Sequence, residues 1–108
     1  CEINRQNWEC WAAAVRELQT IVSEGPATCE QVGDPDPYGR VLANCTINGQ
    51  DVAERFVRGG WALAIKKERP ELVEVQNEAR KAKVGLWQGR FITPGEYRAS
   101  HGIFVDRP

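Results

Sequence analysis

The sequence has no methionine, a single histidine and no C-x-x-C pair. Zinc sites in small domains use cysteine and histidine ligands at short spacings, so we expect no zinc site. No apolar run approaches the roughly 18–20 residues that a membrane-spanning helix needs, and we predict no membrane span. Because the chain begins at Cys1 and lacks methionine, we expect a mature product or a fragment.

An excess of positive charge is also missing. The 108 residues include 14 basic and 15 acidic side chains, which gives a net charge of −1. Proteins held to nucleic acid by bulk electrostatics need many clustered lysines and arginines, so this composition argues against that class. A site built from a few well-placed cations remains compatible with this composition. The length allows one domain.

Four cysteines are present, and their even number in a small domain favours disulfides. Cys29 and Cys45 fall in two predicted strands, so we predict a bridge between them and a second between Cys1 and Cys10. Disulfides imply an oxidising compartment, and we expect a periplasmic or secreted protein. The alternatives are reduced, buried cysteines and a mature lipoprotein acylated at Cys1.

The first helix is indicated by one apolar stripe, which also places two tryptophans in the expected core. Its members recur at steps of three and four residues: Trp8, Trp11, Val15, Leu18 and Val22. Gly25-Pro26 is a typical helix stop. The next segment, 27–32, is predicted to be a strand, and 33–39 a loop with two prolines and two aspartates.

The segment YGRVLANCTINGQDVAERFVRGG, residues 38–60, holds the strongest local signals. Period-2 alternation predicts a strand over 41–47. Asn48-Gly49 suits a type I′ turn, because both central residues need positive φ. Asp51 stands three residues before Glu54, which predicts a capped helix over 52–58, and Gly59 is expected to be its left-handed terminal residue.

The remaining chain is predicted to be extended over 60–65 and helical after Pro70, with Gly85 ending that third helix. Its expected buried stripe is Leu72, Val75, Ala79 and Ala82. Residues 91–98 are interpreted as an ordered tail packed by its aromatics. We place the domain at 1–98 and a C-terminal tail at 99–108.

Arg40 is the leading candidate site residue, since a guanidinium beside a Gly/Pro-rich loop suits a phosphate. The alternative is an ion pair with Asp34, Asp36 or Glu54, because the same fork fits a carboxylate. The two loop aspartates could also suggest a cation site, although a solvated loop is the commoner meaning of such a turn.

Two other patterns have structural alternatives that we prefer. A basic rim for nucleic acid could be formed by Lys66, Lys67, Arg69, Lys81 and Lys83. Interleaved glutamates favour a solvated helix surface instead. The four tryptophans could stack on bases, but their positions favour core packing. His101 has no predicted partner and is assigned no role.

The order of these elements resembles the staphylococcal nuclease-like (thermonuclease) family. The matching segments are YGRVLA at 38–43, NGQDV at 48–52, ERFVRGGWALA at 54–64, NEARKAKVGLW at 77–87 and FITPGEYR at 91–98. The cysteine pattern of Trp8-Glu9-Cys10 with Cys29 resembles a bacterial, secreted, cysteine-containing branch of that family.

The resemblance implies an α+β protein of the OB-fold type, in which helices pack on a five-stranded barrel. In the family, the first three strands carry the calcium-binding aspartates, one catalytic arginine and the general-base glutamate. Only Cys1 to Asn7 precede the first helix here. We therefore expect the C-terminal portion of the fold, with three helices and two or three antiparallel strands.

The resemblance also assigns residue roles. Arg40 resembles the family's arginine that stabilises charge on the phosphate under attack. Where the family often presents nucleotide-binding tyrosines, this chain reads Ala64-Ile65-Lys66-Lys67, which weakens the case for base stacking. No metal-binding residue carries over.

Two functions follow from the resemblance. In the first, the parent protein hydrolyses phosphodiester bonds in DNA or RNA with calcium, while this chain alone binds no calcium and is inactive. In the second, the chain is a non-catalytic nuclease-like interaction module. The expected partners are single-stranded DNA or RNA, and either a missing N-terminal segment or a second copy. The gene upstream of Cys1 would discriminate the two functions.

Overall fold

The computed structural model describes residues 1–102. Two short strands come first, β1 (Glu2–Ile3) and β2 (Gln6–Asn7), followed by helix α1 (Cys10–Val22). The central part consists of β3 (Ala27–Val32), β4 (Leu42–Ile47), β5 (Gln50–Asp51) and α2 (Val52–Arg58). The chain continues with α3 (Glu71–Ala82), a 3₁₀ helix (Gly85–Gln88) and α4 (Pro94–Ser100).

The main sheet has three antiparallel strands in the order β3-β4-β5. β3 and β4 pair over six positions, from Ala27 opposite Ile47 to Val32 opposite Leu42. Within residues 1–102 this sheet does not close, and the other strands form only a two-stranded hairpin. The α+β class is confirmed, whereas the expected OB barrel is not, because three strands are too few to close.

The N-terminal hairpin was missed by the sequence analysis. Asn4 and Arg5 connect its strands with positive φ values of 51° and 64°, the conformation of a type I′ turn. The hairpin is fixed to the 3₁₀ region, because Glu2 and Arg90 exchange two backbone hydrogen bonds of 2.8 and 2.6 Å. Asparagine at position 4 is typical of this turn, but arginine at position 5 is not, because the second position usually holds glycine.

The predicted turn and helix after β4 are confirmed. Asn48 and Gly49 have φ values of 52° and 77°. Asp51 caps α2, since its Oδ1 accepts a hydrogen bond of 2.9 Å from the Glu54 amide. The assignment of Gly59 is wrong, because its φ is −75°. Gly60 is the left-handed residue, at φ 80°.

Three further assignments need correction. Residues 60–65 form no strand, and the Ala64 amide instead donates to the Gln76 side chain at 2.7 Å. The left-handed residue that ends α3 is Lys83, at φ 54°, rather than Gly85. A fourth helix, α4, replaces the expected tail, because Thr93 and Glu96 form a capping box around Pro94. Residues 103–108 of the proposed tail lie outside the described residues.

The buried core is small and lies between α1, the end of β4, α2 and α3. Its buried hydrophobic side chains are Ile21, Ile47, Val57, Leu72 and Ala79. The stripe predicted for α1 does not join it: Trp11 is 69% exposed, and Val15, Leu18 and Val22 are exposed as well. In α3, Ala82 is also exposed. A periodic pattern shows which residues share a face, but only the neighbouring elements decide whether that face is covered.

Candidate functional site

The loop from 33 to 41 projects from the end of the β3–β4 hairpin, beyond the pair Val32–Leu42. Arg40 lies in this loop, two residues before β4, rather than beside the loop at the start of the strand predicted over 41–47. Its position is therefore set by contacts within the loop.

Asp36 makes most of those contacts. Its Oδ1 accepts hydrogen bonds from the backbone amides of Tyr38 and Arg40 at 2.9 and 2.8 Å. Its Oδ2 accepts from Arg40 Nε at 2.6 Å. The Asp36 amide also donates to the Arg40 carbonyl at 2.8 Å. Asp36 thus fixes both the backbone and the side chain of Arg40.

The charge state of Asp36 follows from this network. Partial desolvation raises the pKa of the Asp36 carboxyl. Hydrogen bonds from the Arg40 amide, the Arg40 side chain and the Tyr38 amide together lower the pKa by more than desolvation raises it. The pKa of Asp36 is lowered overall, so the carboxylate stays charged and keeps its hold on Arg40 at neutral pH.

The Arg40 guanidinium remains half exposed, with 52% of the side chain accessible. It lies over the ring of Tyr38, 5.2 Å from the ring centre, and Tyr38 is itself 77% exposed. The ion pair uses Nε, so the two terminal amino groups of Arg40 take no part in it. Of the alternatives considered for Arg40, the structure contains the pair with Asp36.

An apolar groove begins at the same end of the hairpin. Its volume is about 450 Å³. The apolar side chains that line it include Leu18, Val32, Leu42, Phe56, Ile65 and Leu72. Val32 and Leu42 both line the groove and form the last pair before the Arg40 loop. The groove escaped the sequence analysis because its walls come from elements far apart in the chain.

Arg69 lies at this groove but has a structural role. Its terminal amino groups donate to Asn44 and Asp51, each at 3.1 Å, and its Nε donates to Glu71. The hydrogen bond to Glu71 raises the pKa of Arg69 despite desolvation, with Asp51 adding to the effect. This guanidinium is therefore not available to a nucleic acid rim, whereas Lys66, Lys67, Lys81 and Lys83 are exposed.

The residues that the structure describes do not fit a calcium ion. Within residues 1–102, no group of three or more His, Cys, Asp and Glu side chains converges as a metal site would. Asp36 is an unsuitable ligand, because both of its carboxylate oxygens already accept hydrogen bonds from Arg40 or Tyr38. Asp36 thus serves the loop conformation.

Both predicted disulfides are confirmed. Cys29 and Cys45 are directly opposite in the β3–β4 register, and their Cα atoms are 4.1 Å apart. This separation is slightly below the roughly 4.4–6.8 Å range usual for such bridges. Cys1 and Cys10 form the second disulfide, with a Cα separation of 6.0 Å.

The aromatic residues are divided between packing and exposure. Trp8 packs near Trp61 at 6.3 Å between ring centres, and Trp87 meets Phe91 at 5.0 Å. Trp11 does not pack in the core. His101 does have a partner, contrary to expectation, because its ring stacks on Tyr97 at 4.0 Å.

None of the helices described is long and apolar enough to cross a bilayer.

These features define a class of protein: a small α+β domain in which a β-hairpin presents an arginine beside an apolar groove. Residues 4–89 match the family described as staphylococcal nuclease homologue, and the chain belongs to that family.

Three plant proteins are among its relatives. The chain is 37% identical over 73 residues to the staphylococcal-like nuclease CAN1 of Arabidopsis thaliana, which covers 66% of this chain and 22% of the relative. It is 33% identical over 76 residues to an uncharacterized 38.1 kDa protein of Capnoides sempervirens, covering 68% of this chain and 22% of that protein. It is 29% identical over 86 residues to a probable staphylococcal-like nuclease CAN1 of Oryza sativa, covering 77% of this chain and 26% of the relative.

Two facts follow from these matches. The chain spans about a quarter or less of each of these relatives. The relatives are plant proteins, so the resemblance to a bacterial secreted branch gains no support from them.

Proposed function

We propose that the Arg40 loop is the phosphate-binding element of a nuclease-like domain that acts on single-stranded DNA or RNA. The observation that supports this most directly is the way Arg40 is held. Asp36 fixes Nε at 2.6 Å, while about half of the arginine side chain stays accessible. A pre-oriented guanidinium can donate two parallel hydrogen bonds to phosphate oxygens at a small entropic cost.

The chemistry that this chain contributes is charge stabilisation. Hydrolysis of a phosphodiester places extra negative charge on the phosphate oxygens, and a fixed arginine lowers the energy of that state. Arginine supplies neither a base nor a metal site. We assign the general base, and the calcium that the family uses, to a segment outside this chain. The 108-residue chain alone is accordingly inactive.

The apolar groove supports the same division of labour. The family resemblance implies three barrel strands ahead of α1, where this chain has only the short β1–β2 hairpin. We propose that an upstream segment carrying such strands covers the groove and the exposed face of α1. The groove offers Val32 and Leu42 at the free end of the sheet, and Leu18 from α1, as a continuous apolar wall. Exposed apolar surface of this extent is typical of interaction sites.

Binding of a fluorescent single-stranded oligonucleotide to the oxidised chain tests the phosphate site. Arg40→Ala should weaken binding about tenfold, because a charge-assisted hydrogen bond is removed. Arg58→Ala is the matched control: Arg58 also pairs with a carboxylate four residues away at 2.6 Å and is 56% exposed. Equal losses for both variants would show that only net charge matters and would contradict the proposal.

Calcium-stimulated cleavage of the same oligonucleotide tests the assignment of catalysis. The 108-residue chain should not cleave above a buffer control, whereas the chain extended upstream as its gene encodes should cleave. If the short chain cleaves and Arg40→Ala abolishes that cleavage, the general base and the metal ligands lie within these 108 residues, and the assignment is wrong.

A non-catalytic interaction module is the second candidate function. It is favoured by the lack of a converging metal-binding group within residues 1–102. An upstream sequence that consists of a signal peptide, without the three expected strands, would support this candidate. Both functions fit an oxidising compartment, and we propose a secreted or periplasmic location from the two disulfides.

A further inference from the structure

The hairpin that carries the Arg40 loop receives little support from the core. Every residue of β3 is exposed, and in β4 only Ile47 is buried. Ile47 lies at the end of the hairpin farthest from the loop, opposite Ala27. β5 pairs only with Thr46 and Ile47, so the sheet is two-stranded toward the loop, and two-stranded hairpins without a buried face are marginally stable in water. The backbone pairing and the 3.1 Å hydrogen bond from Arg69 to Asn44 are therefore a weak hold on the loop.

The Cys29–Cys45 disulfide supplies the missing constraint. It joins the third register pair from the buried end, so three more pairs separate it from the loop. The two cysteines are 16 residues apart, and the segment between them contains Asp36 and Arg40. The hydrogen bonds that shape the loop are local, such as Gly39 to Asp36 at 2.9 Å. The disulfide thus closes the segment on which Arg40 depends.

We propose that the Cys29–Cys45 disulfide is a redox switch for the Arg40 loop. With the disulfide formed, the loop is ordered and Arg40 is held ready for phosphate. Reduction by a dithiol lets the loop-side ends of β3 and β4 separate, and the Asp36–Arg40 network is lost. The phosphate site then disappears, while α2 and α3 stay folded. This inference rests on the proposed function of Arg40, and it restricts that function to oxidising conditions.

The reduction step is an ordinary thiol–disulfide exchange. Cys29 is exposed and Cys45 half-buried, so a thiolate of the dithiol can attack Cys29 Sγ. The bond between the two cysteine sulfurs breaks as a mixed disulfide forms, and Cys45 leaves as a thiolate that takes up a proton. The second thiolate of the dithiol then displaces Cys29. Two electrons pass to the protein, and the dithiol becomes a cyclic disulfide.

The Cys1–Cys10 disulfide provides an internal comparison. It also joins one exposed and one half-buried cysteine. The segment it closes is held by other contacts, because Glu2 and Arg90 exchange backbone hydrogen bonds and the Trp8 amide donates to the Cys1 carbonyl at 3.1 Å. Reduction of this bridge should therefore leave the Arg40 loop intact.

Amide hydrogen exchange measures the switch without reference to phosphate. The variant Cys1→Ser/Cys10→Ser retains only the proposed switch and is compared before and after treatment with dithiothreitol. The amides of Tyr38, Gly39 and Arg40 should exchange at least about tenfold faster after reduction, since closing a loop of about 15 residues shifts the folded fraction by more than that. Amides in the middle of α3 should change by less than about twofold.

The reciprocal variant, Cys29→Ser/Cys45→Ser, should show fast loop exchange from the start and no further effect of dithiothreitol on the loop. If Cys1→Ser/Cys10→Ser does not fold, Cys29→Ser/Cys45→Ser, which keeps the Cys1–Cys10 disulfide, is compared with the oxidised wild type, and its loop amides should exchange at least about tenfold faster while those of α3 change by less than about twofold. Unchanged loop exchange on reduction would overturn the switch. Equal acceleration in the loop and α3 would also overturn it, because it would indicate global unfolding.

Oligonucleotide binding is measured on the same samples. Loss of binding on reduction, together with faster loop exchange, is the expected result. If reduction speeds loop exchange but the chain never binds the oligonucleotide through Arg40, the redox switch stands and the proposed function of Arg40 is wrong. If binding depends on Arg40 but persists after reduction has opened the loop, the disulfide does not control phosphate binding.

Discussion

Two glycines bring separate parts of the chain into direct backbone contact at the residue scale. Gly60 has a φ of 80°, and a Cβ built there would lie 2.1 Å from the Val84 carbonyl oxygen. Gly85, at φ 57°, faces it, with a Cβ position 2.4 Å from the Gly59 carbonyl oxygen. The Leu86 amide donates to the Gly60 carbonyl at 2.8 Å. The contact fixes the turn after α2 against the turn after α3.

We expect Gly60→Ala to destabilise the chain by about 3 kcal/mol or more, because the methyl group meets backbone that cannot move alone. Gly49→Ala is the control, since Gly49 has a similar φ of 77° but open space around its Cβ position. It should cost only the conformational penalty of about 1–2 kcal/mol. Urea denaturation of the two oxidised variants measures both values. Equal losses would show that no close contact exists.

The protonation of Asp36 determines whether Arg40 is held. Because the folded pKa of Asp36 is lowered from 3.8, its contribution is present above that value and is lost as the pH falls through the lowered folded pKa. We expect slow exchange of the Arg40 amide between pH 5 and 7, relative to its unfolded rate, and loss of protection below about pH 3.8. Asp36→Asn should remove this pH dependence. A protection profile that is flat in the wild type would contradict the prediction.

At the element scale, α2 is tied to its neighbours through Asp51. One carboxylate oxygen caps the helix, and the other accepts from Arg69 at 3.1 Å. Arg69 in turn contacts Asn44 in β4 and Glu71 at the start of α3. The Arg69 side chain thus joins the sheet, the start of α2 and the start of α3. Arg69 and Asp51 are each 24% exposed.

Replacing Asp51 separates its two roles. Asp51→Asn keeps an oxygen for the helix cap but loses the charge, whereas Asp51→Ala loses both. We expect Asp51→Ala to cost about 1–3 kcal/mol, and Asp51→Asn to cost about 1 kcal/mol less. Thermal or urea unfolding measures the difference. Identical costs would indicate that the cap contributes nothing.

At the scale of the whole molecule, the chain exposes one side of its fold. Trp11, Val15, Leu18 and Val22 form an exposed apolar face on α1, and Leu18 continues it into the groove. Val32 and Leu42 extend the same surface on the hairpin. Contiguous exposed apolar surface is typical of sites where another polypeptide or a second copy binds.

We expect the oxidised 108-residue chain to self-associate at high micromolar concentration and the upstream-extended chain to be monomeric. Trp11→Lys should reduce this association while changing stability by less than about 0.5 kcal/mol, because the side chain is already largely exposed. Gln19→Lys adds the same charge to an exposed position of the same helix and is the control. Sedimentation measures the outcome. A compact monomer of the short chain at that concentration would show that its exposed face needs no cover.

The sequence alone determined the features that depend on neighbouring residues. Chemistry within a few positions specifies the Asn48-Gly49 turn, the Asp51 cap and the limits of β3 and α2, and all four were predictable. The pairing of Cys29 with Cys45 was also predictable, because two strands around a short loop must lie side by side. The same local chemistry identified Arg40 as a candidate and Asp36 as one of three possible ion-pair partners, without selecting among the three.

The tertiary structure decided everything that depends on distant neighbours. The α1 stripe was visible as a pattern, but its exposure depends on which elements are present to cover it. Gly60, rather than Gly59, became the left-handed residue because the turn after α3 approaches it. Arg69 left the expected basic rim because Asp51 and Asn44 come within hydrogen-bond reach only after folding. Burial and long-range contacts are properties of the assembled chain, and no local pattern encodes them.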